Sequence, residues 1–434
     1  MRAGPADVER GLREIVGAAH LIAGEAAAPF AVEGRAPRWV AGPGSIEEVA
    51  RCLALAAEAR LAVAPTGRGA RLHWGNPPRT LDLVLSLRRL DRILAHEPAD
   101  LTMSVEAGVT LDAVNAFLRP QRQLLPLDPP RPGDSTVGGI VATAASGPYR
   151  ARYGTIRDLL LGVTVVQADG RVVKGGGRVV KNVTGYDMPK LYVGALGTLG
   201  VVVAAHLRLH PAPVVEETWL HGFPGLEAAL DAGLAVMDAP LVPSRIELLD
   251  RGALAAAGQA SPPEAGLAVT VGSVPEAVRA QGERVAALCR QSGGAALPVA
   301  APEEWWRGVS ELTWPPEARS LVLRIGSRQA DVVKALRGVE AIVGEALRRT
   351  TAEVANGVLH VLAAAGDESA RLARIRDGLA PLGATCVVEH APPDVKLFLD
   401  PWGDVGPALD LMRRLKGELD PRGILNPGRF VGGI

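Results

Sequence analysis

Hydrophobic spacing divides the chain into two stretches with different grammar. In the first, the apolar runs are short and broken by glycine. Residues 8–16 have the 3.6-residue spacing of a short amphipathic helix covering the edge of the first domain. Residues 38–41 read as a strand. Ser45-Ile46-Glu47-Glu48 then has the form of a capping box. It opens a helix whose apolar stripe is Ile46, Val49, Leu53, Ala56 and Ala57, closed by Arg60. Residues 61–64, 81–87, 93–96 and 102–106 read as further strands, and 121–129 as loop. Thr110 caps a helix running to Leu118. Pro211 and Pro213 mark a boundary. Beyond it, 226–237, 274–291, 332–347 and 370–379 have helical spacing, and 245–249, 268–271, 321–325, 357–363 and 386–389 read as strands. That alternation predicts an α+β unit built on an antiparallel sheet.

Glycine is dense over 127–203, and each cluster borders an apolar run. Gly138-Gly139 precedes Ile140-Val141-Ala142, and Gly197 to Gly200 precede Val201-Val202-Val203. Missing Cβ atoms let backbone N–H groups approach a flat or anionic ligand closely. A strand hairpin lies between the clusters, with Asp169-Gly170 predicting a type I′ turn. Upstream, Pro65-Thr66-Gly67-Arg68-Gly69-Ala70-Arg71 follows a strand in the manner of a phosphate cradle. It is neither a Walker A loop nor a Rossmann fingerprint, and taken alone it reads as a structural turn.

Composition narrows the function classes. The 434 residues suffice for two or three domains. The 47 basic residues balance 47 acidic ones, which gives no electrostatic reason to expect nucleic acid or an anionic membrane as partner. Aromatics at 4% also disfavour base-stacking platforms. Cys52, Cys289 and Cys386 are far apart, which argues for reduced thiols, a cytoplasmic setting and no Cys-based metal or iron–sulfur site. The N-terminus has acids and no apolar signal region. The longest uncharged apolar run, 191–205, falls short of the roughly 20 residues of a membrane span and reads as helix end, loop and strand. No integral membrane segment is expected.

Four strings in order, DSTVGGIVATAASG, RYGTIRDLLLGVTVV, GGRVVKNVTGYDMPKL and GALGTLGV, resemble the FAD-binding domain of the vanillyl-alcohol-oxidase-type flavoproteins, the PCMH-type FAD-linked oxidases. Within that group they are most similar to the FAD-binding E subunits of bacterial glycolate oxidase. The resemblance implies an α+β architecture in four parts: an N-terminal helical extension over 1–36, a two-subdomain PCMH-type FAD-binding domain over 37–211, an α+β cap with an antiparallel sheet over 212–400, and a C-terminal segment, 401–434, that returns to the flavin domain. It places Pro65, Thr66, Gly67, Arg68, Gly69, Ala70 and Arg71 at the pyrophosphate of FAD. Pro129, Gly133, Asp134, Ser135 and Thr136 fall along the ribityl chain and ring, where Ser135 and Thr136 offer hydroxyls. Gly138, Gly139, Thr143, Ser146 and Gly147, then Tyr153 and Gly154, then Gly197, Gly200, Val201 and Val202 complete the set. The tail DPRGILNPG adds Asn426. Lys181 is a further candidate for neutralising a phosphate, Tyr186 and Asp187 for pinning their loop, and Arg157–Asp158 for a structural ion pair. Ala70 stands where some relatives attach FAD through histidine, so the FAD is non-covalent. His73 is read as packing in its loop.

The resemblance also marks a departure. Catalytic members carry strings like HxGDGNxH and EHG that hold a divalent metal and a base. Here the first reads Glu353-Val354-Ala355-Asn356-Gly357-Val358-Leu359-His360 and the second Glu389-His390-Ala391. Glu353, His360 and Glu389 are the remaining candidate metal ligands, although His360 in its apolar strand also reads as a packed core residue. His390 is the candidate proton acceptor, with Arg324 or Arg307 holding a carboxylate. Three of the seven tryptophans fall at 305, 306 and 314, which reads as a hydrophobic cluster, a lid or a docking face. The expected function is the FAD-binding subunit of a 2-hydroxy-acid dehydrogenase complex, passing electrons to a homologous flavin subunit and an iron–sulfur subunit. A flavin-holding assembly subunit, or a stand-alone FAD oxidoreductase with another substrate, are the alternatives. The lost histidine predicts that the isolated chain reduces FAD with glycolate or lactate slowly or not at all.

Overall fold

The computed structural model describes residues 4–177, 186–315, 317, 319–366 and 368–434. Two sheets precede residue 211. The first is four-stranded, in the order Leu21–Ala23, Trp39–Ala41, Leu83–Ser86, Val63–Thr66, with the last three strands parallel. Helix Ile46–Ala59 connects two of them, and helix Pro5–Val16 packs Val8, Leu12 and Val16 into the same apolar cluster. Ser45 accepts from Glu48 N at 3.1 Å, but the Glu48 carboxylate accepts from Gly44 N at 2.7 Å. The expected capping box is therefore reached one residue early. The second sheet is antiparallel, in the order Ile93–Glu97, Thr102–Glu106, Val201–Arg208, Leu160–Val166, Val172–Gly176. Its hairpin has a three-residue loop with Gly170 at φ +88°, and Asp169 stays at negative φ. That is a turn followed by a left-handed glycine, not the two-residue type I′ turn expected, which needs both residues at positive φ.

The third sheet has eight antiparallel strands. Their order is Ala295–Leu297, Val215–Phe223, Ala265–Ser273, Arg245–Asp250, Leu347–Glu353, Val358–Ala364, Ser320–Gly326, Thr385–His390. The helix expected over 332–347 stops at Val343, because Gly344 takes φ +58°, and residues from Leu347 form a strand. Side chains alternate between the faces. Leu321, Leu323, Ile325, Leu359, Val361 and Val388 pack under helices Leu226–Asp238, Pro275–Gln291, Val332–Val343 and Glu368–Leu379. The opposite face carries Arg245, Glu247, Arg324, Glu353 and His360 toward the other two sheets.

Arg245 is the joint between them. Its guanidinium bonds Asp128 at 3.0 Å, reaches Glu216 at 3.4 Å and lies 3.6 Å from the Tyr149 ring centre. Asp128 also accepts from Tyr149 N, and the Tyr149 hydroxyl donates to Glu216. Arg245 is buried and its partners are half-buried, and removing it strands them. Arg245→Met is expected to cost about 3–5 kcal/mol, read as a lower urea midpoint. An unchanged midpoint would refute the joint.

Candidate active site

A continuous groove runs between the first two sheets and opens against the third. At one end it is lined by Tyr192, Gly200, Val201 and Val202. It passes Pro65, Thr66, Gly67, Thr136, Gly139 and Leu196, which two adjoining pockets share, and then the loop from Arg68 to Arg71. Arg71 and Thr143 border both this groove and a cavity of about 290 Å³ under the third sheet.

The groove is made by backbone that only small residues allow. A Cβ on Gly67 would sit 2.2 Å from Thr136 Oγ1, and one on Gly197 would sit 2.9 Å from Pro65. Gly69 and Gly197 take positive φ. Ala144, Leu196 and Asn426 do so without being glycine, and all three border the groove or cavity. Strain of this kind concentrates at ligand sites. Asn426 is held by Leu196 O at 2.6 Å and by its own N–H to Val63 O, yet its buried Oδ1 has no partner within the protein. An acceptor left open in a glycine-built groove of this length fits a dinucleotide with hydroxyl and amide donors.

Most residues assigned from the sequence border this groove. Ser135 and Thr136 do, but their hydroxyls are engaged. Ser135 accepts from Arg71 and donates to Pro130 O, and Thr136 caps helix Val137–Thr143. Gly138 borders it too, but a Cβ there would meet Ala107 at 2.7 Å, so this glycine answers to packing. Pro129, Gly133, Gly147, Tyr153 and Gly154 lie outside the lining. A Cβ on Gly147 would sit 2.1 Å from Asp128 O, and Tyr153 stacks edge-on with Tyr149 and His210 at another surface. Arg157 and Asp158 do not pair. Arg157 donates to Lys190 O, and Asp158 completes a capping box with Thr155. Lys181 lies outside the described residues; Tyr186 is exposed.

The third sheet furnishes the cavity's far wall. Arg324 and His360 are cross-strand neighbours on one face. Glu389 and His390 are adjacent in sequence, yet both border the cavity. The pairing of Ser320–Gly326 with Thr385–His390 skips Glu389, and this bulge re-aims the strand end. Arg324 Nε donates to Glu389 at 2.9 Å, and His360 stands 3.9 Å from the same carboxylate. Burial lowers the His360 pKa against the opposing pull of Glu389.

Other candidates fall elsewhere. Glu353 pairs in register with Val358, whereas His360 pairs with Thr351. It bonds Asn356 at 3.2 Å and lies 3.7 Å from Arg150. Among the described residues no three His, Cys, Asp or Glu converge in metal-ligand geometry, so the Glu353, His360, Glu389 set is not assembled. Arg307 is exposed on helix Pro302–Glu311, away from the cavity. Trp305 and Trp306 are buried in a satellite core, and only Trp314 reaches the cavity.

His73 was missed as a site residue. Its ring enters the cavity 4.8 Å from Trp314 and 5.3 Å from His390. Burial, then the nearby His390, holds its pKa well below the usual histidine value. The loop is clamped through its carbonyls. Arg429 donates to those of Leu72 and Trp74 at 2.6 Å, and Lys396 donates to that of His73 while pairing with Glu33 at 2.8 Å. Nothing local in the sequence signals Lys396 or Glu33; Arg429 at least follows the tail motif.

Comparison with known proteins settles the cofactor. A model of the FAD binding domain matches residues 37–176, and one of the C-terminal domain of FAD linked oxidases matches 212–395 and 404–430. The chain belongs to the FAD-linked oxidases. It is 29% identical over 421 residues to the glycolate oxidase subunit GlcD of Bacillus subtilis, covering 91% of this chain and 89% of that protein. It is 29% identical to a probable mitochondrial D-lactate dehydrogenase of Danio rerio, covering 92% and 85%. The solved structure of p-cresol methylhydroxylase superposes with a TM-score of 0.76 at 15% identity, over 98% of this chain and 96% of that one. The fold is therefore the PCMH-type α+β fold. This FAD-linked oxidase is an FAD-dependent oxidoreductase. Among the described residues no helix is long and apolar enough to cross a membrane.

Two predictions follow from this geometry. Gly139→Val is expected to abolish FAD binding while the chain stays folded, because the only close atom its Cβ meets is Thr136 Oγ1 at 3.0 Å and the added methyls enter the groove. Gly138→Val is expected to unfold the second sheet instead. Flavin absorbance per chain and circular dichroism separate the two, and acid should release free FAD from the wild type. Glu247 and Glu353 face each other across strands, both buried. Burial raises Glu353 to about 7. The native state then holds a proton that the unfolded chain releases from about pH 4.5 upward, so stability falls as pH rises toward 7. Glu353→Gln should raise the melting temperature more at pH 8 than at pH 5; equal gains would contradict this.

Proposed function

We propose that the chain oxidises a small 2-hydroxy acid at the cavity under the third sheet and passes the electrons to a partner protein. The observation that carries this reading is the convergence of Arg324, His360, Glu389 and His390 with His73 around one cavity that adjoins the FAD groove. The relatives named for glycolate and D-lactate point to the same substrate class.

The loop from Pro65 to Arg71, with Gly139, Gly197 and Asn426, holds FAD. Bound there, FAD supplies the hydride acceptor. Arg324, oriented by Glu389, holds the substrate carboxylate. His390 takes the proton from the 2-hydroxyl as C2 gives up its hydride, leaving a 2-oxo acid. His73 and His360, held neutral by burial, add no positive charge to compete for that proton. Trp314 and Trp74 limit water on the near side. Cys52 lies in one apolar core and Cys289 and Cys386 in another, so the cysteines of this chain form no relay. Electrons leave through a partner, read here as an iron–sulfur subunit beside a homologous flavin subunit in the cytoplasm. The diversion of Glu353 to Arg150 and Asn356 favours a second reading, in which this chain holds flavin for a more active homologue.

Anaerobic mixing with glycolate and lactate tests both, following flavin bleaching near ~450 nm. Slow bleaching by the isolated chain and faster bleaching by the co-purified complex are expected. His390→Ala should slow it about 10²–10⁴-fold. The rate should hold from pH 8 down through 6.5 and fall only at lower pH, where His73 and His360, held below the usual histidine value by burial, become protonated. Bleaching by the complex that is indifferent to His390→Ala would leave the flavin-holding reading.

A further inference from the structure

The cavity lining carries four guanidinium groups, Arg71, Arg150, Arg157 and Arg324, against one carboxylate, Glu389. Glu389 is already committed to Arg324. Arg71 is held by Ser135 and Pro130 O at the edge of the cofactor groove. Two cations remain on the flavin-domain wall. Arg157 makes its hydrogen bond to a carbonyl, that of Lys190, and among the described residues no carboxylate pairs with it. Among the described residues Arg150 pairs only with Glu353, at 3.7 Å, looser than a hydrogen bond. Ser146 lies on the same wall.

A simple 2-hydroxy monocarboxylate is answered by Arg324 alone. Two further guanidinium groups border the same cavity, Arg150 half-buried and Arg157 exposed, and their like charges favour an anion between them. Guanidinium forks match the oxygens of carboxylate and phosphate alike. We propose that the substrate carries a second anionic group, held by Arg150 and Arg157 with the Ser146 hydroxyl, opposite the carboxylate held by Arg324. This inference rests on the 2-hydroxy-acid reading above and names the class within it.

The test uses ligands with no hydroxyl to oxidise. The FAD-loaded full chain is titrated calorimetrically with succinate, 3-phosphonopropionate and propionate. One dianion is expected to bind at least about tenfold tighter than propionate, the worth of one charge-assisted hydrogen bond. Whichever is tighter identifies the second group as carboxylate or phosphate. Arg157→Gln, at an exposed position, should keep the fold by circular dichroism and shrink the preference to within about threefold. Dianions no tighter than propionate, or a preference that survives both Arg157→Gln and Arg150→Gln, overturn the proposal. Dianion preference without flavin reduction by any hydroxy acid would instead fail the 2-hydroxy-acid reading.

Discussion

The eight-stranded sheet has one face that cannot be left to water and one that cannot be left to oil, and the molecule is arranged around that conflict. Four helices bury the apolar face. The other face carries Arg245, Glu247, Arg324, Glu353 and His360, all by the alternation that points their neighbours into the core. Closing it against the flavin domain removes charges from water, which is costly unless each finds a partner. Arg245 meets that demand between Asp128, Glu216 and the Tyr149 ring. Where the closure is incomplete, the unmatched charges line the cavity.

The same economy governs the loop that carries His73. Three successive carbonyls, those of residues 72, 73 and 74, accept hydrogen bonds from buried cations. One cation comes from the cap and one from the C-terminal tail, and Glu33 of the N-terminal segment balances the first. Burial lowers the pKa of Arg429 to about 10, yet the carbonyls it binds keep it fixed. Segments from both chain ends therefore determine where an imidazole stands in the cavity. A loop held through its backbone presents its side chain in one orientation, which is what a proton-transfer site requires.

Much of this was legible before the fold was known. The glycine strings located the groove because close backbone approach depends on a missing Cβ, a property written into residue type. Alternation in 321–325 and 357–363 gave the strands and, with them, the face that Arg324 and His360 share. What stayed hidden depends on long-range register. The bulge that brings Glu389 and His390 to one cavity has no local signature. Glu353 looked like a ligand by position in a motif, but a two-residue offset across the strand pair separates it from His360. His73 read as a loop residue because its clamps lie hundreds of positions away. The helix expected to reach 347 ended at Gly344, where a positive φ outweighed a helical period that continued beyond it.

Glu247 and Glu353 are the least economical feature of the sheet, two buried carboxyls opposed across strands where like charges repel. Two apolar residues would be more stable there. Their position relative to Arg150 gives a reason for them. Arg150 stands between Glu353 on one side and the cavity on the other. Glu353 is the carboxylate that offsets that guanidinium from the sheet. At 3.7 Å it does so weakly enough that an incoming anion, able to bond directly, displaces it. A firm ion pair would have closed the site, and no counter-charge would have left the half-buried Arg150 unmatched. The strained carboxyl pair is thus the stability given up to keep a cation at the cavity wall both tolerated and available.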